Sequence, residues 1–303
     1  MITNFAYPLC MQKRFVSRPK HGFTIIELLV VIAIIVLLVS ILIPAMGKAI
    51  RTARSTEDKT QAKGIYTAMV LYASSNNDKL PRPSFIRDNF DSDITDDTTG
   101  NLMSVMIGRD YFTPDYCISP VETNPNVIDI DEFGVVYDYG AIDGEEVFWD
   151  PLFNGDVEGA TASNPAHNSY AHQALVGHRA KTKWNSNAGS SDLMISNRGP
   201  REGAFGEETD SQSFTLQFHG SLSSWSGSIV SGDGSARIAR STFPEGVAYQ
   251  PLNGMPLGPD NIFDCEWNDV AVSGAPDGMP SGDNWMVICT ELIDENNMTA
   301  SWD

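Results

Sequence analysis

Basic residues are scarce in this sequence. Only 20 Lys and Arg stand against 39 Asp and Glu, which gives a formal net charge of −19 at pH 7. Four of these bases, Lys13, Arg14, Arg18 and Lys20, lie in the first 22 residues, where there is no acid. Because nucleic-acid binding depends on Lys and Arg contacts to phosphates, the composition argues against a nucleic-acid partner.

Cysteine is also rare, with four in the chain. Cys10 lies near the basic N-terminus, which leaves Cys117, Cys265 and Cys289 in the remainder. An odd number of cysteines leaves at least one thiol without an intrachain partner. Cys265 and Cys289 could pair in an oxidising compartment, and three buried free thiols are the alternative.

The common catalytic motifs are absent from the sequence. It contains no G-x-S-x-G, H-E-x-x-H or P-loop pattern. His219 lies beside a serine-rich stretch, but no recognisable spacing of acid, base and nucleophile accompanies it. We therefore predict that the chain is not an enzyme.

One long apolar run lies near the N-terminus. Residues 28–45 carry no charge, and a helix of this length can cross a bilayer. The basic residues before the run predict that the N-terminal end stays in the cytoplasm and that the rest is exported. Lys48, Arg51 and Arg54 on the far side weaken this asymmetry without cancelling it.

Three interpretations of the run compete. An ordinary secretory signal could be cleaved near Ala45-Met46-Gly47, but its apolar core is usually only about 7–15 residues long. A plain transmembrane anchor explains the length and leaves Glu27 unexplained. A carboxylate in a membrane span costs roughly 2.5–3.5 kcal/mol, so Glu27 implies a partner.

The third interpretation supplies that partner. The segment at residues 20–27, Lys-His-Gly-Phe-Thr-Ile-Ile-Glu, closely resembles the processing signature of type IV prepilins and type II secretion pseudopilins. The resemblance implies that a prepilin peptidase cuts after Gly22 and methylates Phe23. It also implies that Glu27 neutralises a terminal amine, commonly that of a neighbouring subunit, during assembly. Pro44 falls where the helix of this family often kinks or loosens, because proline removes a helix hydrogen bond.

The resemblance and the apolar run together predict four consecutive parts. These are a leader, a transmembrane helix, a continuation of that helix into the head, and a globular head with an acidic C-terminal region, at residues 1–22, 23–46, 47–76 and 77–303. The leader is longer than is usual in the family, so translation starts either at Met1 or at Met11.

The helix pattern continues beyond the apolar run. Residues 54–63 are almost wholly polar and predict a neck that buries little. An apolar stripe at helical spacing then predicts packing under a sheet: Ala62, Ile65, Ala68, Met69 and Tyr72. The helix should end near residues 74–78, before Pro81.

Beyond Pro81, short apolar runs between Pro, Gly, Asn and Asp predict strands and long loops. Asp233-Gly234 predicts a hairpin turn between two such runs. The strand candidates are residues 214–218, 228–230, 236–238 and 286–289, with weaker ones at 135–137 and 147–149. The predicted fold class is therefore α+β and pilin-like, with a long N-terminal helix packed on an antiparallel sheet with long loops.

The head also resembles the large pilin-like proteins of planctomycete-type bacteria. Ser169-Tyr170, Asn197-Arg198, His219 and Asp233-Gly234 occur in the order that those proteins show. Two features depart from that pattern. Ser235 stands where a histidine commonly follows the Asp-Gly pair, and the interval between His219 and Asp233 is longer than usual.

Acidic residues are dense in the C-terminal region. Hard cations take carboxylate and carbonyl oxygens from loops, and some pseudopilins bind calcium in a C-terminal loop. Calcium is therefore the only cofactor that we consider, and a solvated acidic loop is the alternative. The candidate ligands, none of which fits an EF-hand, are Asp260, Asp264, Asp269, Asp277 and Asp283.

Two classes of function remain. The first is a structural subunit of a type II secretion pseudopilus or a type IV pilus-like assembly. Its partners would be prepilin peptidase, other pilin or pseudopilin subunits and an inner-membrane assembly platform. The second is a membrane-tethered module that displays a glycan- or surface-binding head, in which Trp225, Trp267, Trp285 and Trp302 could stack on sugars. Both place a single-pass protein in the inner membrane, with its N-terminus cytoplasmic and its head periplasmic or extracellular.

Overall fold

The structure is a computed structural model. It describes residues 22–86, 93–131, 149–204, 213–219, 224–249, 258–265 and 283–302. The chain divides between Ala49 and Ile50 into an N-terminal unit and a larger, compact C-terminal unit.

The first element, α1, is a helix of 50 residues at Ile25–Ser74. Pro44 lies inside it and does not end it. Beyond the helix the backbone turns at Asn77 and Asp78, which have positive φ values of 56° and 61°. The amide of Asp78 donates to the carbonyl of Ala73 at 3.0 Å, which satisfies one of the last helical acceptors. The predicted helix end near residues 74–78 is confirmed.

The other helices in the described part of the chain are short. They are α2 at Pro83–Ile86, α3 at Thr99–Gly108 and α4 at Gly177–Thr182. Single 3₁₀ turns occupy Ile94–Asp96, Pro114–Cys117, Arg201–Gly203 and Phe214–Gln217. The Thr98 hydroxyl accepts from the Asn101 amide at 3.2 Å and so caps the start of α3.

Eight strands in the described ranges form two antiparallel sheets. Their bounds are β1 Tyr170–Gln173, β2 Leu193–Asn197, β3 Gly227–Ser231, β4 Ala236–Ala239, β5 Ala248–Tyr249, β6 Gly258–Pro259, β7 Met286–Asp294 and β8 Asn297–Ser301. The main sheet has the order β4-β3-β2-β1-β7-β8, and β5 pairs with β6 alone. A long helix with an antiparallel sheet confirms the predicted α+β, pilin-like class.

The β3–β4 hairpin forms where Asp233-Gly234 predicted it. Gly234 has a φ of +77°, a conformation that glycine adopts without steric cost. The Asp233 carboxylate accepts from the Ser235 amide at 2.9 Å and closes the turn. The strand candidate at residues 286–289 is also confirmed, as the start of β7.

The main sheet is covered on both faces by apolar side chains. On one face, the stripe of α1 packs with α3 and with residues of the central strands, such as Tyr170, Ile195 and Val230. On the other face, Ala171 and Ile229 belong to a second apolar cluster that includes Trp225. The predicted stripe of α1 is therefore confirmed as part of the core, since all five of its members are buried.

Two expectations need correction. Residues 214–218 do not form a strand, because Phe214–Gln217 is a 3₁₀ turn in which neighbouring Thr215 and Leu216 are both buried. Five residues are too few to distinguish alternation from a single turn. The polar neck at residues 54–63 is also wrong in part, because Asp58 is fully buried. The weaker strand candidates lie outside the described residues, except for Trp149, which is not in a strand.

Two apolar residues of α1 test the packing of the stripe. Ile65 is 0% exposed, whereas Leu71 on the same helix is 60% exposed. We expect Ile65→Ala to lower the free energy of unfolding of the head by about 2–5 kcal/mol. Leu71→Ala should change it by no more than about 0.5 kcal/mol. All six tryptophans follow residue 148, so urea unfolding monitored by tryptophan fluorescence reports on the head. Equal losses in the two variants would contradict this packing.

Candidate functional sites on the N-terminal helix

The first candidate site is the start of α1, where Gly22 and Phe23 precede the helix in exposed, non-helical backbone. One carboxylate oxygen of Glu27 accepts from the Thr24 amide at 2.8 Å and from the Thr24 hydroxyl at 2.7 Å. In return, the Glu27 amide donates to the Thr24 hydroxyl at 3.3 Å. This reciprocal arrangement is a capping box. Thr24-Ile-Ile-Glu27 carries its sequence signature, which the sequence analysis did not use.

The apolar part of α1 has no cover from the other residues that the structure describes. An 18-residue window of this helix has a mean hydropathy of 3.3, and none of it is buried. Ile25 and Ile41, for example, are 84% and 67% exposed. A surface this apolar needs lipid or other helices around it, which agrees with membrane anchoring. Among the described residues, this is the one helix long and apolar enough to span a membrane.

The second candidate site surrounds Asp58, whose carboxylate lies against the centre of the main sheet. Tyr170 of β1 donates its hydroxyl to Oδ1 at 3.0 Å, and the Asn197 side chain of β2 donates to the same oxygen at 2.9 Å. The Ser228 hydroxyl of β3 donates to Oδ2, and the Ser119 hydroxyl donates to Oδ1. Three neighbouring strands and one loop therefore share a single acceptor group on α1.

An imidazole completes the surroundings of Asp58. Nε2 of His219 lies 3.7 Å from Oδ2 of Asp58. Nδ1 of the same ring is hydrogen-bonded to the Ser55 hydroxyl at 2.8 Å. Ser55, Asp58, Ala62, Ile65 and Met69 follow one another at intervals of three or four residues. Extending the apolar stripe backwards by two turns would therefore have placed Asp58 and Ser55 on the sheet side of the helix.

Burial and hydrogen bonding shift the pKa of the Asp58 carboxyl in opposite directions. Burial raises the pKa of this carboxyl, because the charged form loses water. The His219 imidazole and the donors from Ser119, Ser228 and Asn197 lower it, and the balance leaves the pKa below the ordinary value of 3.8. Asp58 is therefore ionised at neutral pH.

Three of the residues from which a resemblance to large pilin-like proteins was predicted meet at this site. Tyr170, Asn197 and His219 contact or approach Asp58 directly. Arg198 makes a two-pronged ion pair with Glu122, which also accepts the Ser169 hydroxyl at 2.7 Å. Asp233-Gly234 lies apart from them, in the β3–β4 turn. Scattered sequence positions thus form two separate polar groups, one around Asp58 and one around Glu122.

The predicted calcium ligands do not form a metal-binding group in the described part of the chain. Asp260 accepts from the amide and side chain of Asn284 at 3.0 Å and 2.8 Å, and Asp283 pairs with Arg179. Among the described residues, no group of three or more His, Cys, Asp or Glu could hold a metal ion. Asp264 is described, whereas Asp269 and Asp277 lie outside the described residues. The calcium site remains a prediction.

The positions of the cysteines and tryptophans bear on two earlier hypotheses, the pairing of Cys265 with Cys289 and the stacking of tryptophans on sugars. Cys117, Cys265 and Cys289 are all free thiols, so Cys265 and Cys289 are not paired in the structure. Trp225 and Trp302 are 0% and 8% exposed and pack in the core, which leaves them little surface for stacking on a sugar. Trp285 is partly buried against the same core, and Trp267 lies outside the described residues.

Comparison with known proteins finds a family model that matches the N-terminal segment. Residues 17–43 match the family model of the prokaryotic N-terminal methylation motif. The chain thus carries a type IV prepilin-like processing signature. This signature implies cleavage by a prepilin peptidase and assembly with other pilin-type subunits. Searches of curated proteins and of solved structures found no match to this chain.

The Asp58 cluster generates a stability prediction with a matched control. In Asp58→Asn, the amide cannot replace an ionised carboxylate that accepts four donors, and the donors lose partners. We expect a loss of about 1–3 kcal/mol in the free energy of unfolding of the head at pH 7, because buried donors are left without a full acceptor. Glu57→Gln, at the exposed neighbouring position, should change it by no more than about 0.5 kcal/mol.

The stability lost in Asp58→Asn has a predicted pH dependence. Because folding lowers the pKa of Asp58 below 3.8, its stabilising contribution is complete above about pH 4. The contribution is lost as the pH falls below 3.8 and through the pKa of the folded state. The stability difference between wild type and Asp58→Asn should therefore shrink in acid. A difference that is constant from pH 7 to pH 2.5 would show that the charge of Asp58 is not its cause.

Proposed function

We propose that the chain is a structural subunit of a pseudopilus or type IV pilus-like assembly that grows from the inner membrane. Its partners in this proposal are prepilin peptidase, other pilin or pseudopilin subunits and an inner-membrane assembly platform. The observation that carries the proposal is the location of Glu27, an acid within an exposed apolar helix that begins immediately after a prepilin-type cleavage junction.

Before assembly, the capping box supplies the hydrogen-bond donors to Glu27. Within the described chain it accepts hydrogen bonds from the amide and hydroxyl of Thr24, and both of these are neutral donors. A neutral partner does not cancel the charge of a carboxylate in hydrocarbon, where an unpaired ion is costly. The single subunit therefore carries an electrostatic cost in its apolar segment.

Cleavage supplies a cation at the same depth. A cut between Gly22 and Phe23 leaves a new terminal amine on Phe23, four residues before Glu27. Between adjacent subunits, this amine can pair with the Glu27 carboxylate, and a low dielectric strengthens that attraction. Assembly thus relieves the cost that the single subunit carries, and the pairing fixes the axial register of neighbouring helices.

The same proposal assigns the topology of the chain. Lys13, Arg14, Arg18 and Lys20 keep the leader in the cytoplasm, where the peptidase acts on the junction. The unit that begins at Ile50 is then the exported head, in the periplasm or outside the cell. Its role in the assembly is to present a folded body to neighbours or to exported cargo.

Two variants of Glu27 separate its charge from its capping role. Glu27→Gln keeps an oxygen acceptor for Thr24, since Gln also completes a capping box, but removes the charge. Glu27→Leu removes both. If charge pairing drives assembly, both variants should insert and be cleaved like wild type, and both should lose oligomer ladders after chemical crosslinking in cells. Glu57→Gln, in the head part of the same helix, is the control and should crosslink normally.

The outcomes of this experiment are distinct. Normal crosslinking of Glu27→Gln together with failure of Glu27→Leu would assign the effect to the helix cap and contradict the charge-pairing proposal. Normal crosslinking of both variants would remove Glu27 from assembly. The tethered binding module would then become the better account of the chain.

A further inference from the structure

A hydroxyl, an imidazole and a carboxylate lie next to one another in space, in that order, at the head part of α1. The Ser55 hydroxyl is 2.8 Å from Nδ1 of His219, and Nε2 of that ring is 3.7 Å from Oδ2 of Asp58. Ser55 and His219 are 164 residues apart in the chain, so the fold itself creates this contact. The sequence analysis found no such spacing, because the three residues come from two distant segments.

The exposed fraction of the side chain decreases from Ser55 through His219 to Asp58. Ser55 is partly exposed, the His219 side chain is 6% exposed, and Asp58 is 0% exposed. The hydroxyl is therefore the end of the series that a reagent from solution can reach. A serine whose hydroxyl is hydrogen-bonded to an imidazole, with a carboxylate behind the ring, has the arrangement that activates a nucleophile.

The carboxylate is fixed in place near the ring, with Oδ2 3.7 Å from Nε2 of His219. Donors from Ser119, Tyr170, Asn197 and Ser228 fix both oxygens of Asp58 against the sheet. Its negative charge stabilises an imidazolium on the Nε2 side, which is the species formed when His219 accepts a proton from Ser55. Asp58 is thus a positioning residue, His219 the base and Ser55 the reacting group.

We propose that Ser55 is an acyl-acceptor site on the head, at which His219 activates the hydroxyl for attack on a carboxylic ester or thioester. Oγ forms a bond to the acyl carbon, and its proton moves to Nδ1 of His219. The bond from the acyl carbon to the leaving oxygen or sulfur then breaks, and the leaving alcohol or thiol takes the proton from His219. The product is an O-acyl serine. This inference goes beyond the proposed assembly function and does not depend on it.

Another serine on the same helix provides a matched comparison. The Ser74 hydroxyl is exposed and donates to the Leu71 carbonyl at 2.7 Å. A hydroxyl that donates to a backbone carbonyl is not activated, because a carbonyl cannot accept its proton in a reaction. Differences in reactivity between Ser55 and Ser74 therefore measure the effect of His219.

The first test uses a fluorophosphonate probe on the full chain in detergent, with labelled serines located by peptide mass spectrometry. Oγ displaces fluoride from phosphorus, and the proton leaves with the fluoride. We expect labelling at Ser55, none at Ser74, and a decrease of about 100-fold or more in His219→Gln. Labelling of Ser55 at the rate of Ser74, or labelling that His219→Gln leaves unchanged, would overturn the proposal.

The second test does not depend on the stability of a His219 variant. Ser55→Cys and Ser74→Cys are each alkylated with iodoacetamide over a range of pH, and each site is quantified by mass spectrometry. A thiol beside the imidazole should form a thiolate–imidazolium pair, so at pH 6 Ser55→Cys should react about tenfold or more faster than Ser74→Cys. Identical pH profiles for the two thiols would show that His219 is only a structural neighbour of position 55.

Discussion

A single buried carboxylate organises the head. Asp58 lies at full burial between α1 and the main sheet, where an ionised acid is stable only if its oxygens are hydrogen-bonded. The donors are spread over β1, β2 and β3 and the loop at Ser119, so all must be in place together. The requirement fixes the position of α1 along the strands, which apolar contacts alone specify less sharply, because they are not directional.

The two acids of α1 that matter most are satisfied in different ways. Asp58 obtains its donors from the fold, and the chain completes the arrangement by itself. Within the described part of the chain, Glu27 obtains only a local cap from Thr24, in a segment whose apolar side chains are exposed. A complete site and an incomplete one on the same helix correspond to its two roles. The head part of the helix packs in a core, and the apolar part is exposed and needs lipid or other helices around it.

Much of this architecture is predictable from the sequence, and two of the failures, at Asp58 and at strand β1, have a common origin. Helix α1 and the hairpin at Asp233-Gly234 have strong local signals, namely a long periodic pattern and a turn pair. Asp58 and strand β1 were missed because buried polar residues look like exposed ones in a sequence. His172, for example, is fully buried in β1 and hydrogen-bonded to the Thr99 hydroxyl at 2.8 Å, and its burial lowers its pKa to about 4.

At the N-terminal site, the sequence is more informative than the structure. Gly22, Phe23 and Glu27 are recognisable from the sequence alone, because a peptidase reads a short linear segment. The relation between Ser55, Asp58 and His219 is invisible there, because it depends on contacts between distant segments. The capping box of Thr24 and Glu27, by contrast, could have been recognised in advance from its four-residue signature.

The central claim is that the chain is processed as a prepilin and retains its apolar helix. Intact-mass analysis of the protein extracted from membranes tests this most directly. The account predicts a single mature chain that begins at Phe23 and carries one added methyl group at its N-terminus. A mature chain that begins at Lys48, after removal of the whole apolar run, would contradict it and identify an ordinary secretory signal instead.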